Sequence, residues 1–247
     1  MIVQFSLNFL WLFEREMMSS YQVLITGANR GIGLEFTKQY AADGWKVLAC
    51  CREPLSAIAL QALASVHSNI EILALDVANF KQIDALALQL KDTAIDVLIN
   101  NAGVYPHSSF GDTNYDDWAE AFKINAMASL KMAEAFVQHT TRSQLKKIAT
   151  LSSKMGSIDD NESGDSYSYR ASKTAVNMVM KSLSIYLKPY GISVVTLHPG
   201  WVQTDMGGKN ALVSTATSVA GLRMVIENLN IASTGKFIAY DGKEIAW

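Results

Sequence analysis

The chain has 247 residues, 49% of them apolar and 18% charged, with a net charge of −2. That is enough apolar material for the buried core of one large α/β domain. With no basic run or stripe, it lacks the footprint of a nucleic-acid binder. The two cysteines, Cys50 and Cys51, are neighbours and imply neither a disulfide framework nor zinc-ligand spacing.

The chain opens on an apolar stretch, 2–13, broken by Gln4, Ser6 and Asn8. It is too short to span a bilayer, which takes roughly 20 apolar residues. It also has no basic residues ahead of it and no small-residue cleavage site. Residues 1–20 read as an extension in front of a single catalytic domain, 21–247. Three roles stay open for it: an upstream translation start with Met17 or Met18 beginning the functional chain, a packing or dimer arm, or a membrane-touching arm. The expected compartment is the cytoplasm.

From residue 21 the pattern alternates. Strands are predicted at 22–26, 46–51, 70–75, 96–100, 147–152, 192–197 and 236–239. Helices are predicted at 33–43, 55–66, 81–90, 115–138, 167–188 and 213–228. The strands are apolar throughout rather than every second residue, so both faces are buried. Parallel strands with right-handed helical crossovers make a Rossmann-like, doubly wound sheet of about seven strands with helices on both faces.

After the first strand comes Thr26-Gly27-Ala28-Asn29-Arg30-Gly31-Ile32-Gly33. Glycines let the backbone turn tightly and let a pyrophosphate approach without a Cβ in the way. The free amides at the helix start favour phosphate. The spacing is T-G-x3-G-x-G, and the strand–turn–helix context makes it a dinucleotide site. At the end of the second strand, where an acidic residue would bind a ribose 2′-hydroxyl, stand Cys51 and Arg52. With Arg30, they suit a 2′-phosphate. NADP(H) is therefore favoured, with NAD(H) possible, because Glu53 could pair with either arginine.

Tyr169 and Lys173 are four residues apart on one helix face. A nearby ammonium favours the phenolate and lowers the tyrosine pKa, which lets the phenol exchange protons with an alcohol or carbonyl oxygen. Such a pair is a common accident when it stands alone. Here the strand ends add Asp76-Val77, Asn100-Asn101-Ala102-Gly103, Ser152-Ser153 and Pro199-Gly200. All fall at the carboxyl edge of the sheet, where open α/β sheets bind ligands. A serine there can stabilise charge developing on a substrate oxygen.

These motifs resemble the short-chain dehydrogenase/reductase family over 22–247, and within it the C-factor/sniffer-type carbonyl reductase branch. The resemblance implies NAD(P)(H)-dependent reduction of a small carbonyl, or oxidation of an alcohol. It makes Tyr169 the acid/base. Lys173 binds the nicotinamide ribose and tunes the tyrosine, Ser153 polarises the carbonyl, and Asn125 holds a water relay. Ser153 is preferred to Ser152 because Gly156 follows it at the family's spacing. The implied cofactor residues are Gly27, Asn29, Arg30, Gly31, Ile32, Gly33, Arg52, Asp76, Val77, Asn101, Ala102, Gly103, Tyr169, Lys173, Pro199, Gly200, Val202 and Thr204. The family also implies a homodimer or homotetramer packed through the two long helices. The alternative is a nucleotide-binding signalling or redox-sensing protein of the C-factor type with little turnover.

One departure is the segment between Ser153 and Tyr169, which is longer than usual and acidic. The stretch 205–210, where the family places a substrate-covering loop, is short, so an open cleft or a small lid is expected. His67, His107, His139 and His198 share no ligand spacing, so no metal site is expected. Trp118, Met127, Met132, Met178 and Met180 are expected in the core or between helices.

Overall fold

The computed structural model describes residues 21–247, so the three roles open for residues 1–20 lie outside the described residues. Its strands and helices alternate as the apolar runs require. In chain order they are β1 (Gln22–Thr26), α1 (Gly31–Ala42), β2 (Lys46–Cys51), α2 (Ile58–Val66), β3 (Ile70–Ala74), α3 (Phe80–Gln89) and β4 (Val97–Asn100). A two-stranded ribbon, β5 (Ser108–Ser109) and β6 (Asp112–Thr113), comes next. Then follow α4 (Tyr115–Phe122), α5 (Ala128–Thr141), β7 (Lys147–Leu151), α6 (Tyr167–Leu187), β8 (Ser193–His198), α7 (Thr215–Asn228) and β9 (Lys236–Ala239).

Seven strands form one sheet in the order β3-β2-β1-β4-β7-β8-β9, every pair parallel. Alternate residues of each strand serve opposite faces. Leu24, Leu48, Leu98, Ile148 and Val194 pack under α3, α5 and α6 through Ile83, Met132, Phe136, Val176 and Met180. Val23, Ile25, Val47, Ile99 and Leu197 pack under α1, α2 and α7 through Phe36, Leu60, Val219 and Leu222. The direction of winding reverses between β1 and β4, and a crevice for a ligand opens outside their carboxyl ends.

Two expectations need correction. The helix read as continuous over 115–138 is interrupted by a π-helical turn, Lys123–Met127. Such turns insert one residue and often mark functional sites; this one carries the buried Asn125 in its middle. Of the residues expected to pack, Met132 and Met180 are fully buried, whereas Met127 and Met178 stand exposed and Trp118 is half-buried. They sit on the outer faces of their helices, away from the sheet. Periodicity cannot separate that outer face from the core face when both carry methionine. Among the described residues no helix is long and apolar enough to cross a membrane.

Candidate active site

The glycine turn is built by contacts across the switch point. Gly27 has φ +67°, a left-handed conformation that glycine adopts without strain. A Cβ on Gly33 would collide with the Gly27 carbonyl oxygen and stand 2.6 Å from Asn101 Nδ2. The turn therefore folds back on its own helix start. Asn101 fixes it by donating from Nδ2 to the Thr26 and Gly27 carbonyls at 2.8 and 3.2 Å. Thr26 Oγ1 in turn accepts the amides of Asn101 and Ala102, each at 3.0 Å. Only a residue with no Cβ can sit where helix and turn meet this closely.

The other predicted cofactor residues gather round this edge. Asn29 and Arg30 are exposed at the tip of the turn, and Ile32 is half-buried beneath it. Asp76 caps its own turn, accepting the Ala78 amide at 3.0 Å, with Val77 buried beside it. Pro199, Gly200, Val202 and Thr204 form the loop after β8. A Cβ on Gly31 would lie 3.2 Å from Thr204 Cγ2, so this loop closes one side of the turn.

Among the described residues neither arginine pairs with Glu53. Arg30 pairs with Asp205 at 3.0 Å, both side chains largely exposed. The guanidinium thereby ties the glycine turn to the loop after β8. Arg52 is exposed, and among the described residues no ion pair engages it. That same loop is self-bonded: Trp201 Nε1 donates to the Gly207 carbonyl at 2.7 Å, and Val202 bridges Val213.

Four side chains converge beyond the ends of β4 and β7. Asn125 accepts the Val104 amide with Oδ1 and donates from Nδ2 to the Val104 carbonyl, both at 2.9 Å. Nδ2 also donates to Ser172 Oγ at 2.9 Å, which binds the Asn125 turn to α6. A Cβ on Gly103 would lie 3.1 Å from Asn125 Oδ1 and 3.6 Å from Lys173 Nζ. Lys173 Nζ donates to the Leu151 carbonyl at 2.9 Å and stands 5.7 Å from the centre of the Tyr169 ring. Ser153 stands close enough to the Tyr169 phenol to pull its pKa down, while its Oγ accepts the Met155 amide at 3.2 Å. Ser152, by contrast, is buried and turns to the Lys173 carbonyl at 3.4 Å. Of the two serines, Ser153 is the one that faces the phenol.

Burial governs the electrostatics. It pushes the Tyr169 phenol up to about 12, against the Ser153 hydrogen bond, which pulls it down. It brings Lys173 down to about 8. This differs from the expectation that Lys173 lowers the tyrosine pKa: with its ammonium turned to the Leu151 carbonyl, Lys173 is not among the groups that shift the phenol, and desolvation dominates. His198 is likewise neutral, held at about 4 mainly by burial, with Nδ1 accepting the Lys154 amide at 3.1 Å. No group of three or more His, Cys, Asp or Glu among the described residues could hold a metal ion.

One neighbour escaped the sequence reading. The Tyr105 ring meets the Tyr169 ring edge-on, with centroids 4.4 Å apart. It lies in no motif, and only its position two residues past Gly103 places it at this edge. The arrangement as a whole is a buried, protonated phenol with Ser153 beside it and an ammonium one turn away. It sits beside a glycine cradle at the switch point, and it can deliver a proton to an oxygen held by Ser153.

The family model described as short chain dehydrogenase matches residues 21–213. The chain belongs to the short-chain dehydrogenase family. It is 43% identical over 164 residues to C-signal of Myxococcus xanthus, an alignment covering 66% of this chain and 99% of that protein. The NADPH-bound carbonyl reductase from chicken fatty liver superposes with a TM-score of 0.87 at 36% identity, covering 92% of this chain and 99% of that one. Carbonyl reductase Sniffer of D. melanogaster gives the same TM-score and identity, covering 92% and 100%. Within the short-chain dehydrogenases the chain therefore sides with the C-signal and Sniffer group, and it is an oxidoreductase by family.

Proposed function

We propose that the chain is an NADP(H)-preferring carbonyl reductase in which Tyr169 is the acid/base. The observation that carries the reading is Tyr169 and Lys173 buried together one turn apart on α6, with Ser153 at the phenol, next to a turn whose Gly33 leaves no room for a Cβ. The residues fit a dinucleotide. The turn 27–33 and Asn101 would hold the pyrophosphate, Arg52 and Arg30 a 2′-phosphate, Asp76 and Val77 the adenine, and Lys173 the nicotinamide ribose. Supporting this cofactor, the chicken neighbour binds NADPH. When bound, the nicotinamide supplies or accepts hydride.

The chain's own residues supply the rest. Ser153 donates to the substrate oxygen and stabilises the charge that develops there. Tyr169 gives its proton to that oxygen in reduction and takes it back in oxidation. With its phenol at about 12, Tyr169 is fully protonated at neutral pH, which suits the reductive direction. Asn125 braces Val104 and, through Ser172, the backbone of Tyr169, whose carbonyl accepts from Ser172 Oγ at 2.8 Å. As a second part of the reading, the exposed Met127, Met178, Ile185 and Tyr186 support assembly through the two long helices.

The test is a panel of aldehydes and ketones with purified protein and NADPH. We expect turnover, and we expect Tyr169→Phe to lower kcat by about a thousandfold, as loss of general acid–base catalysis does, with NADPH affinity intact. Equal turnover in both proteins would overturn the mechanism. The likeness to C-signal favours one other reading, a nucleotide-binding signalling protein. It predicts tight NADP(H) binding without turnover of any carbonyl.

A further inference from the structure

Tyr105 does more than abut the phenol. It follows Val104, whose amide and carbonyl are both engaged by Asn125, so its backbone is fixed from the π-helical turn. Its ring lies edge-on to Tyr169 at an interplanar angle of 64°. Its hydroxyl is 2.7 Å from Ser166 Oγ. Ser166 is the residue that starts α6, yet its side chain caps no amide of that helix. A serine there ordinarily caps. Ser166 and Asp165 are also left-handed, with φ of 49° and 57°, a conformation that L residues other than glycine rarely adopt. Local chemistry favours neither feature, and both bring the Ser166 hydroxyl to Tyr105. The amide that Ser166 does not cap is served from the same segment: Ser168 N donates to Ser108 Oγ at 2.9 Å. Residues 105–108 thus grip the first turn of the helix that carries Tyr169.

We propose that Tyr105 is a positioning residue for Tyr169. Its ring holds the orientation of the phenol, and its hydroxyl, through Ser166, holds the loop 157–166 at the mouth of the site. The inference rests on the carbonyl reductase reading. The two contacts are separable. Tyr105→Phe and Ser166→Ala remove only the hydroxyl link; Tyr105→Ala and Tyr105→Leu remove the aromatic edge as well.

The experiment measures kcat and KM for the best substrate of the panel, NADPH affinity by fluorescence, thermal melts, and the pH dependence of alcohol oxidation. Tyr105→Phe and Ser166→Ala are expected to raise KM several-fold, with a much smaller change in kcat. Tyr105→Ala is expected to lower kcat about ten- to a hundredfold, the scale of a small misplacement of a reacting group. It should also move the rising limb of alcohol oxidation to lower pH, because a less buried phenol ionises more readily. NADPH affinity stays at the wild-type value in all four. Tyr105→Leu keeps the bulk of the side chain, so it carries the test if the alanine variant melts early. Wild-type kcat and pH profile in Tyr105→Leu would overturn the proposal and leave the enzyme reading standing. Failure of the wild-type chain to turn over any carbonyl would overturn both.

Discussion

The glycine turn after β1 and the loop ahead of α6 reach the same edge of the sheet by different means. The turn is held by groups fixed to the sheet: Thr26 at the end of β1 and Asn101 just past β4 bond it from both sides. The loop 157–166 is held by one long side chain and one ion pair. Arg170 donates to the Met155 and Gly164 carbonyls at 3.3 and 3.0 Å and to Ser163 Oγ at 2.7 Å, while Lys154 pairs with Asp160 at 2.7 Å. The turn has no slack because backbone meets backbone; the loop can give, because its ties are solvent-facing side chains. Changes at the turn should therefore strike cofactor binding, and changes in the loop should strike the substrate.

Gly33→Ala is the sharpest test of the first half. Its methyl would land on the Gly27 carbonyl, and crowding of this kind costs about 1–3 kcal/mol. NADPH affinity should fall about ten- to a hundredfold, as read by nicotinamide fluorescence. Unchanged affinity would show that the turn does not hold the dinucleotide. Asn101→Ala comes next. It leaves the Thr26 and Gly27 carbonyls without their donor, a loss of about 1–3 kcal/mol, and should weaken NADPH by about tenfold with little effect on KM for the carbonyl.

These differences explain what could be read from the sequence. The strands, their parallel order and the turn were legible because buried apolar runs and a glycine pattern encode them locally. Ser153, Tyr169 and Lys173 were legible as types at a spacing, and the fold brings them together. The π-helical turn was not, since Lys123-Ile-Asn-Ala-Met127 has ordinary helical composition and its extra residue is imposed by the bonds of Asn125 to Val104. Tyr105 was not, because its partners Tyr169 and Ser166 are about sixty residues away in sequence. The direction of the tyrosine shift was misread for the same reason: charge spacing is visible along a chain, but desolvation is a property of the packed site.

The electrostatics give an intermediate effect. A phenol at about 12 stays protonated across the neutral range, so carbonyl reduction should be flat from about pH 6 to 8. Alcohol oxidation needs the phenolate, whose fraction grows by up to about tenfold per pH unit below the pKa, so its rate should climb over that range. Initial rates in both directions at constant ionic strength check the sign. A flat oxidation profile would mean that Tyr169 is not the base.

Arg170→Ala carries the smallest expected change and decides the second half of the comparison. The guanidinium is half-buried and makes three hydrogen bonds to 155–164, each contributing about 1 kcal/mol net. Little of that reaches the reacting atoms, because Arg170 points away from Tyr169 into the loop. Releasing the loop should widen the mouth and raise KM about threefold, while kcat and NADPH affinity hold. Gly33→Ala should show the reverse pattern, with NADPH affinity lost and KM for the carbonyl held once the protein is saturated with cofactor. If Arg170→Ala instead weakened NADPH and left KM alone, the loop would belong to the cofactor side, and the division between a rigid turn and a yielding rim would fail. The same measurement in Ser166→Ala separates the two ends of the loop: Arg170 holds its middle and Tyr105 its exit into α6. Additive KM effects in the double variant would mean the two ties act independently. A double variant no worse than either single one would mean the loop opens as one piece.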